Sequence, residues 1–489
     1  DDSAVDKTFL TQASFELAHD RMVEVITDVA PWVPDWDELK TIDLRGRKLE
    51  SVVRLKEFLP KLEEVALDDN EISYFTGLPS TLKSLTVSFN QVPSIASFGH
   101  LLHLETLDIS HNEVDDLSSL ECLQHLRYLK ADNNGIKTLN GILALEHLHT
   151  LSLRDNKLTV LNLQTSSWRK LSTLDVSHNR IVTIRGLMTC RHLKSLNVSS
   201  NDLSRLDLEP SMPKLRVLRV SSNARLSELD VLPAKDLRTL YADFCALERI
   251  EHLGSLSKLE NISVRQQLND RGGFVWPGSQ VKDAKRLFLS ANAFSRDLSL
   301  YASAPRAPPA FTQLVYLELS ACQLETLPSN FSSLFPTLHH LNLDHNLFSK
   351  LPKRCLSGLR DLKRLSMVGS RMGKTRNLLE ALEGCQALSV LDTRMNPLTL
   401  GLYPPMLLTS PAAADNQHAS ASHLSHTAAA SSTSTYALSD ARFARTLPES
   451  FALKRLLHRG TLGMVCPRLE WLDGLVLADE EVRAAEQWL

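Results

Sequence analysis

The stretch "GSRMGKT", residues 369–375, brings together two glycines, a lysine and a threonine. A backbone loop that cradles phosphate uses these residue types. The phosphate-loop pattern needs four residues between its glycines, and here there are three. The stretch also falls where a repeat leaves its strand, without the helix that should follow, so no nucleotide site is expected. Of the 17 histidines, His339 and His340 are adjacent, while His111, His178 and His345 share one position of a repeat on turns that do not follow one another, so they share no metal. His418, His423 and His426 lie in a low-complexity stretch where metal binding would be weak and adventitious. The seven cysteines, at 122, 190, 245, 322, 355, 385 and 466, are odd in number and widely spaced, with no CxxC. They fit neither a disulfide framework nor a zinc site, and read as reduced, partly buried thiols of the cytosol or nucleus. The sequons at Asn197, Asn261 and Asn330 read as chance matches. There is no HExxH, no GxSxG and no recognisable acid/base pair of carboxylates. The expectation is a protein that is not an enzyme, with no catalytic residue, no cofactor, no metal and no small-molecule substrate.

What positions these residues is a repeat. "LDISHNEV", 107–114, returns as "LDVSHNRI", 174–181. Both belong to the pattern L-x-x-L-x-L-x-x-N-x-L. Clear copies begin at Leu39, Leu62, Leu82, Leu104, Leu126, Leu148, Leu171, Leu193, Leu215, Leu237 and Leu259, and looser ones at Ala284, Leu314, Leu338, Leu362 and Leu388. From Asn90 to Gln267 the ladder position recurs every 22 residues, with one step of 23. Such a series is a leucine-rich-repeat solenoid, an α/β fold with a parallel sheet on its concave side. The last two leucines of L-x-x-L-x-L alternate with solvent positions, the period of a strand with one buried face. The Asn side chain bonds backbone groups that the bend leaves buried. Cys245 and Cys322 replace it in their turns and read as ladder residues. About a dozen residues remain for the convex side, enough for a short helical segment. The "SH" of the two quoted copies reads as solvent-facing and incidental.

No turn buries its leucines alone, so both ends need caps. Residues 1–36 read as a helical N-terminal cap, with Phe9, Phe15, Leu17, Met22, Val25, Ile26 and Val29 near helical spacing. The repeats occupy 37–401, with lengthened turns at 268–283 and 299–310. Residues 402–446 contain a stretch rich in Ala, Ser, Thr and His, expected to be disordered. Residues 447–489 supply a basic amphipathic helix and a closing cap, "CPRLEWLDGLVLADEEVRAAEQWL".

Composition agrees with a binding protein of ordinary surface. Lys and Arg number 54 against 57 Asp and Glu, so bulk charge favours neither nucleic acid nor membrane. No apolar run approaches the roughly 20 residues of a membrane span. The start, "DDSAVDKTFL", has no initiator Met and reads as the edge of an excised fragment.

The outward strand positions carry the functional signal. The first four turns are acidic and small, through Asp43, Glu64, Asp68, Asp69 and Asp108, with Phe89 as the aromatic exception. From the ninth turn Arg219, Tyr241, Phe244, Arg265, Arg286, Phe288 and Tyr316 point outward, bordered by Asp243 and Glu318. Arg and aromatic clustering marks interface hot spots. The competing expectation is that Phe288 and Tyr316 pack under the lengthened turns beside them. Sixteen strands about 4.8 Å apart give an arc of roughly 75 Å, which suits a protein domain or a long peptide.

The 22-residue register, "LNVSSNDL" and the closing "CPRLEWLDG" resemble the intracellular SDS22-like leucine-rich repeats. The run "LRVLRVSSNARLSELDVLPAKDLRTLYADFCALERIEHLGSLSKLENISVRQQ", 215–267, resembles the C-terminal repeats of fungal spindle-pole-body scaffolds of the mitotic exit and septation initiation networks, related to animal centriolin. That resemblance implies a non-catalytic scaffold in the cytoplasm and cytoskeleton, at the spindle pole body. The implied partners are anchor proteins, a small GTPase with its GAP, and kinases, with no nucleic acid and no membrane. The alternative is an SDS22-like regulatory subunit of a protein phosphatase.

Overall fold

The computed structural model describes residues 21–33, 35–208, 211–268, 274, 281, 283–294, 311–405 and 436–488. The chain forms two compact units, residues 1–258 and 259–489. Phe9, Phe15 and Leu17, the 299–310 turn and most of 268–283 lie outside the described residues.

In the first unit each repeat supplies one three-residue strand, beginning with Thr41–Asp43 and Glu64–Ala66 and ending with Val217–Arg219 and Thr239–Tyr241. Neighbours pair in parallel with equivalent residues in register, as Leu196 with Leu218. The middle residue of each strand is buried and its two flanks are not. Three residues suffice because the strand need only present one leucine inward before the chain turns away. The second unit repeats this through Asn261–Ser263, Arg286–Phe288, Tyr316–Glu318, His340–Asn342, Arg364–Ser366 and Val390–Asp392.

The ladder asparagines behave as the spacing requires. Asn223 is fully buried. Its Nδ2 donates to the carbonyls of Val198 at 3.1 Å and Val220 at 2.7 Å, and its Oδ1 accepts from Leu203 N–H at 3.1 Å. Asn223 therefore stitches its own bend to its neighbours and satisfies groups that no water reaches. Cys245 fills the same slot, with Sγ 3.3 Å from the Val220 carbonyl. Burial pushes the thiols of Cys245 and Cys322 up to about 12. Both are ladder residues, as expected.

One regularity is not written in the leucine pattern. The residue just before the ladder position takes a left-handed backbone in turn after turn: Asp69 (φ 59°), Phe89 (53°), His111 (55°), Asn133 (51°), His178 (56°) and Phe244 (55°). Asp, Asn and His tolerate that conformation better than most residues. The "SH" pairs are therefore not incidental, because their histidines occupy the left-handed corner between strand and convex side.

The convex side also differs in part. Short helical turns occur, at Leu55–Phe58, Ser118–Leu120 and Leu187–Thr189. Several turns instead place small parallel strands there: Val160–Asn162 beside Thr183–Arg185, and Arg205–Leu206, Glu228–Asp230 and Arg249–Glu251 together.

At the N-terminal end, residues 21–29 are helical, with Met22, Val25 and Ile26 buried. At the other end the helix Glu449–Val465 packs on Asp479–Glu486. Their approach is so close that a Cβ on Gly460 would meet Ala485 Cβ at 2.2 Å. Trp471–Leu472 adds a last parallel strand to Val390–Asp392. The expected disorder of 402–446 is corrected at both of its edges, and residues 406–435 between them lie outside the described residues. Leu402 and Tyr403 join a buried cluster with Tyr436 and Phe451 packed against it, and residues 436–444 are helical. Asp440 anchors that helix through a bidentate pair with Arg455, at 3.0 and 2.5 Å. Two aromatics and one buried ion pair are enough apolar and polar contact to order a sequence whose composition argues otherwise.

Candidate protein-binding surface

In the first unit the outward positions begin with an acid and hydroxyl network. Asp68 accepts from the Thr86 hydroxyl at 2.6 Å and from Ser88 N–H at 2.8 Å and Oγ at 2.7 Å. Asp132 accepts from the Ser152 hydroxyl at 2.6 Å and Arg154 N–H at 2.8 Å. Burial raises its carboxyl pKa, and Asp175 and Asp108 add to the rise. Phe89, 57% exposed, lies flat on His111 with ring centroids 3.9 Å apart.

Further along the same unit, Arg219 and Tyr241 stand directly opposite each other in register. The guanidinium lies 5.3 Å from the ring centroid, a cation–π contact that ties the two side chains together. Phe244 is in the left-handed corner rather than on the strand, and is 38% exposed. Asp243 behind it is buried, its N–H bonded to Ser221 Oγ at 3.1 Å.

The second unit gathers Arg265, Phe288 and Tyr316 around Glu318. Arg265 Nε and Nη2 donate to the two carboxylate oxygens of Glu318 at 2.8 and 3.0 Å. Ser290 Oγ donates to the same carboxylate at 2.6 Å. Arg265 also lies 4.7 Å above the Phe288 ring, which packs on Tyr316 at 4.9 Å. His340 continues the row, 6.0 Å beyond Tyr316. Burial works to raise the Glu318 pKa, but the bonds and charge of Arg265 outweigh it and hold the carboxyl below its ordinary value. Burial, with the Glu318 charge, pushes the Tyr316 hydroxyl up to about 12. Arg286 is exposed at the start of its strand, in register with Tyr316.

The sequence reading placed seven residues on one outward surface. Within the first unit the structure joins Arg219 to Tyr241, with Phe244 at the adjoining corner. Within the second it joins Arg265, Phe288 and Tyr316. The guanidinium of Arg265 is bonded to Glu318 within the unit. Glu318, read only as a border residue, is the centre of the cluster, and its alternation with the buried Leu317 and Leu319 was the available signal.

The "GSRMGKT" stretch needs a correction, because a helix does open there, at Thr375–Leu382. Two of its parts are engaged within the unit: Thr375 Oγ1 lies 3.1 Å from His458 Nδ1, and Gly369 packs against His345, whereas Gly373 and Lys374 are exposed. The C-terminal cap holds a polar cluster that sequence did not reveal. His458 Nε2 lies 3.4 Å from Asp473 Oδ2, and Thr393 donates to Asp473 Oδ1 through N–H at 2.6 Å and its hydroxyl at 2.9 Å. Beside it Arg459, 2% exposed, grips Glu481 and the carbonyls of Leu472 and Val476. Among the described residues one trio, the half-buried Asp230 with the exposed Glu251 and His252, has ligand atoms within 4.8 Å of one another, and His252 is already bonded to Asp230 at 2.9 Å.

Repeats that each give one strand, an Asn ladder and capped ends define a leucine-rich-repeat protein, and a family model described as a leucine-rich repeat region matches residues 81–299. Within that class the chain is a relative of the septation initiation network scaffold protein cdc11 of Schizosaccharomyces pombe, 37% identical over 463 residues. That alignment covers 94% of this chain and 43% of the relative, so the chain spans less than half the length of the curated protein it matches. Among solved structures, a leucine-rich-repeat protein of Leptospira interrogans superposes with a TM-score of 0.53 at 21% identity, covering 75% of this chain and 92% of that one. The functional domain of InlJ from Listeria monocytogenes gives 0.49 at 20%, covering 73% and 74%. The bacterial likeness concerns the fold alone.

Proposed function

We propose that this chain is the protein-binding region of a non-catalytic scaffold that holds septation or mitotic-exit signalling proteins at the spindle pole body. The observation that carries this reading is the similarity, over nearly the whole chain, to a protein named as a septation initiation network scaffold. The outward clusters supply the chemistry. Arg219 with Tyr241, and Phe288 with Tyr316, offer flat, preorganised rings and cations of the kind that dominate interface energy. Their fixed geometry lowers the entropic cost of docking. The partners expected are anchor proteins of the pole, a small GTPase with its GAP, and kinases.

The test is capture with the tagged chain from dividing fungal cells, followed by mass spectrometry, with fluorescence microscopy of the tagged protein. Network proteins and a signal at the spindle poles are expected. Tyr241→Ala and Phe288→Ala should each reduce capture per folded molecule. Recovery of a phosphatase catalytic subunit in stoichiometric amount, without network proteins, would overturn the proposal in favour of an SDS22-like regulator.

A further inference from the structure

A second surface lies on the edge of the first unit where the chain enters its strands. The second residue of each repeat forms a column there, each N–H bonded to the carbonyl of its equivalent one turn earlier: Lys194 to Ser172, Arg216 to Lys194 and Arg238 to Arg216, at 2.8, 2.8 and 2.9 Å. The early part of the same column neutralises itself. Glu63 pairs with Lys40 at 3.1 Å and Lys83 at 2.5 Å, and Glu105 with Arg127 at 3.4 Å. From Lys194 onward the alternation stops, and three cations stand on consecutive turns about 4.8 Å apart. Among the described residues none of the three makes an ion pair. Arg191, Lys214 and Lys235, just before the same three repeats, are exposed beside them.

We infer that this basic edge, centred on Lys194, Arg216 and Arg238, docks an acidic, Asp- and Glu-rich segment of a partner protein. Six cations within about two turn spacings, with Asp236 as one acid among them, keep an excess of positive charge that a further anion relieves. A single protein turned over to one sign of charge on one edge only, after pairing its charges elsewhere on the column, offers that edge to a complementary chain. Two observations favour a peptide over a nucleic acid. Met188 and Leu232, at equivalent positions of the turns that lead into Leu193 and Leu237, are 48% and 40% exposed and offer an amphipathic peptide apolar surface. Trp168, which leads into the repeat before that of Lys194, is fully buried and provides no stacking platform for bases. Asp236, paired with Lys258 at 2.6 Å, also sits among the cations, and a uniform polyanion would meet its charge.

The experiment is fluorescence polarisation of the full chain with a labelled twelve-residue peptide of four Asp-Glu-Leu repeats, at low salt. Saturable binding is expected, weakening as salt rises, and weaker by about tenfold or more in the triple variant Lys194→Glu/Arg216→Glu/Arg238→Glu. Lys40→Glu/Lys83→Glu, on the paired part of the column, is expected to bind within about twofold of wild type. Should the triple variant lose its thermal transition, the single Lys194→Gln and Arg216→Gln variants replace it, each expected to weaken binding measurably. No binding at low salt, equal losses in the two sets of variants, or tighter binding of a thymidine twelve-mer or of anionic vesicles than of the peptide would overturn the inference.

Discussion

Arg265 and Glu318 form a bidentate ion pair between turns whose strands are separated by the strand Arg286–Phe288, with both contacts at 3.0 Å or less. The guanidinium bridges over Phe288 to reach the carboxylate, so one interaction locks a charged pair and an aromatic row at once. At 27% and 12% side-chain exposure the pair is partly shielded from water, which makes it costly to break and poor at meeting a partner's charge.

Glu318→Gln should therefore destabilise the second unit by about 2 kcal/mol, read by chemical denaturation, because Arg265 keeps its charge and loses its partner. The loss should depend on pH. The folded carboxyl is held below its ordinary 4.5, so the stabilisation is fully present above that value and fades as pH falls through the lower folded one. The gap in melting temperature between wild type and Glu318→Gln is expected at pH 7 and should shrink below pH 4.5.

Asn223→Ala should cost about 3 kcal/mol, since it strips backbone partners from Val198, Val220 and Leu203 in a place without water. Cys245→Ser, which keeps a donor in the equivalent slot, should cost about 1 kcal/mol or less. Equal losses from the two changes would show that the ladder bonds matter less than the volume they fill.

Thiol accessibility offers a further check. Cys122 is partly exposed, whereas the other cysteines are buried. Burial pushes the thiols of Cys245, Cys322, Cys355 and Cys385 up to about 12. Titration of the native protein with a chromogenic disulfide at pH 8 should give one fast thiol, and all seven after denaturation.

Arg459→Met should open the C-terminal cap. The change leaves Glu481 half-buried without its cation and two carbonyls without donors, an expected loss of about 3 kcal/mol. Gly460→Val should act at the same joint by sterics, given the contact with Ala485. Rapid proteolysis of 449–488 in either variant, with the first unit's transition unchanged, is the expected signature.

The sequence alone determined the repeat, the inward leucines, the Asn ladder and the cysteines that substitute for Asn. Each of these is a local requirement, met again in every turn, so its period is written directly in the chain. It also brought the outward Arg and aromatic residues to notice, since alternation decides which face a strand residue takes. Only the tertiary structure decided what those residues do with their neighbours. Arg265 meets Glu318 rather than solvent because the turns stack at a fixed spacing, which places position seven of one repeat within reach of position five two repeats on. Residues 436–444 fold because Arg455 and a buried aromatic cluster receive them, a contact that local composition cannot report. The row of cations at 194, 216 and 238 emerges in the same way, since charges 22 residues apart in sequence become neighbours only when the solenoid closes each turn upon the last.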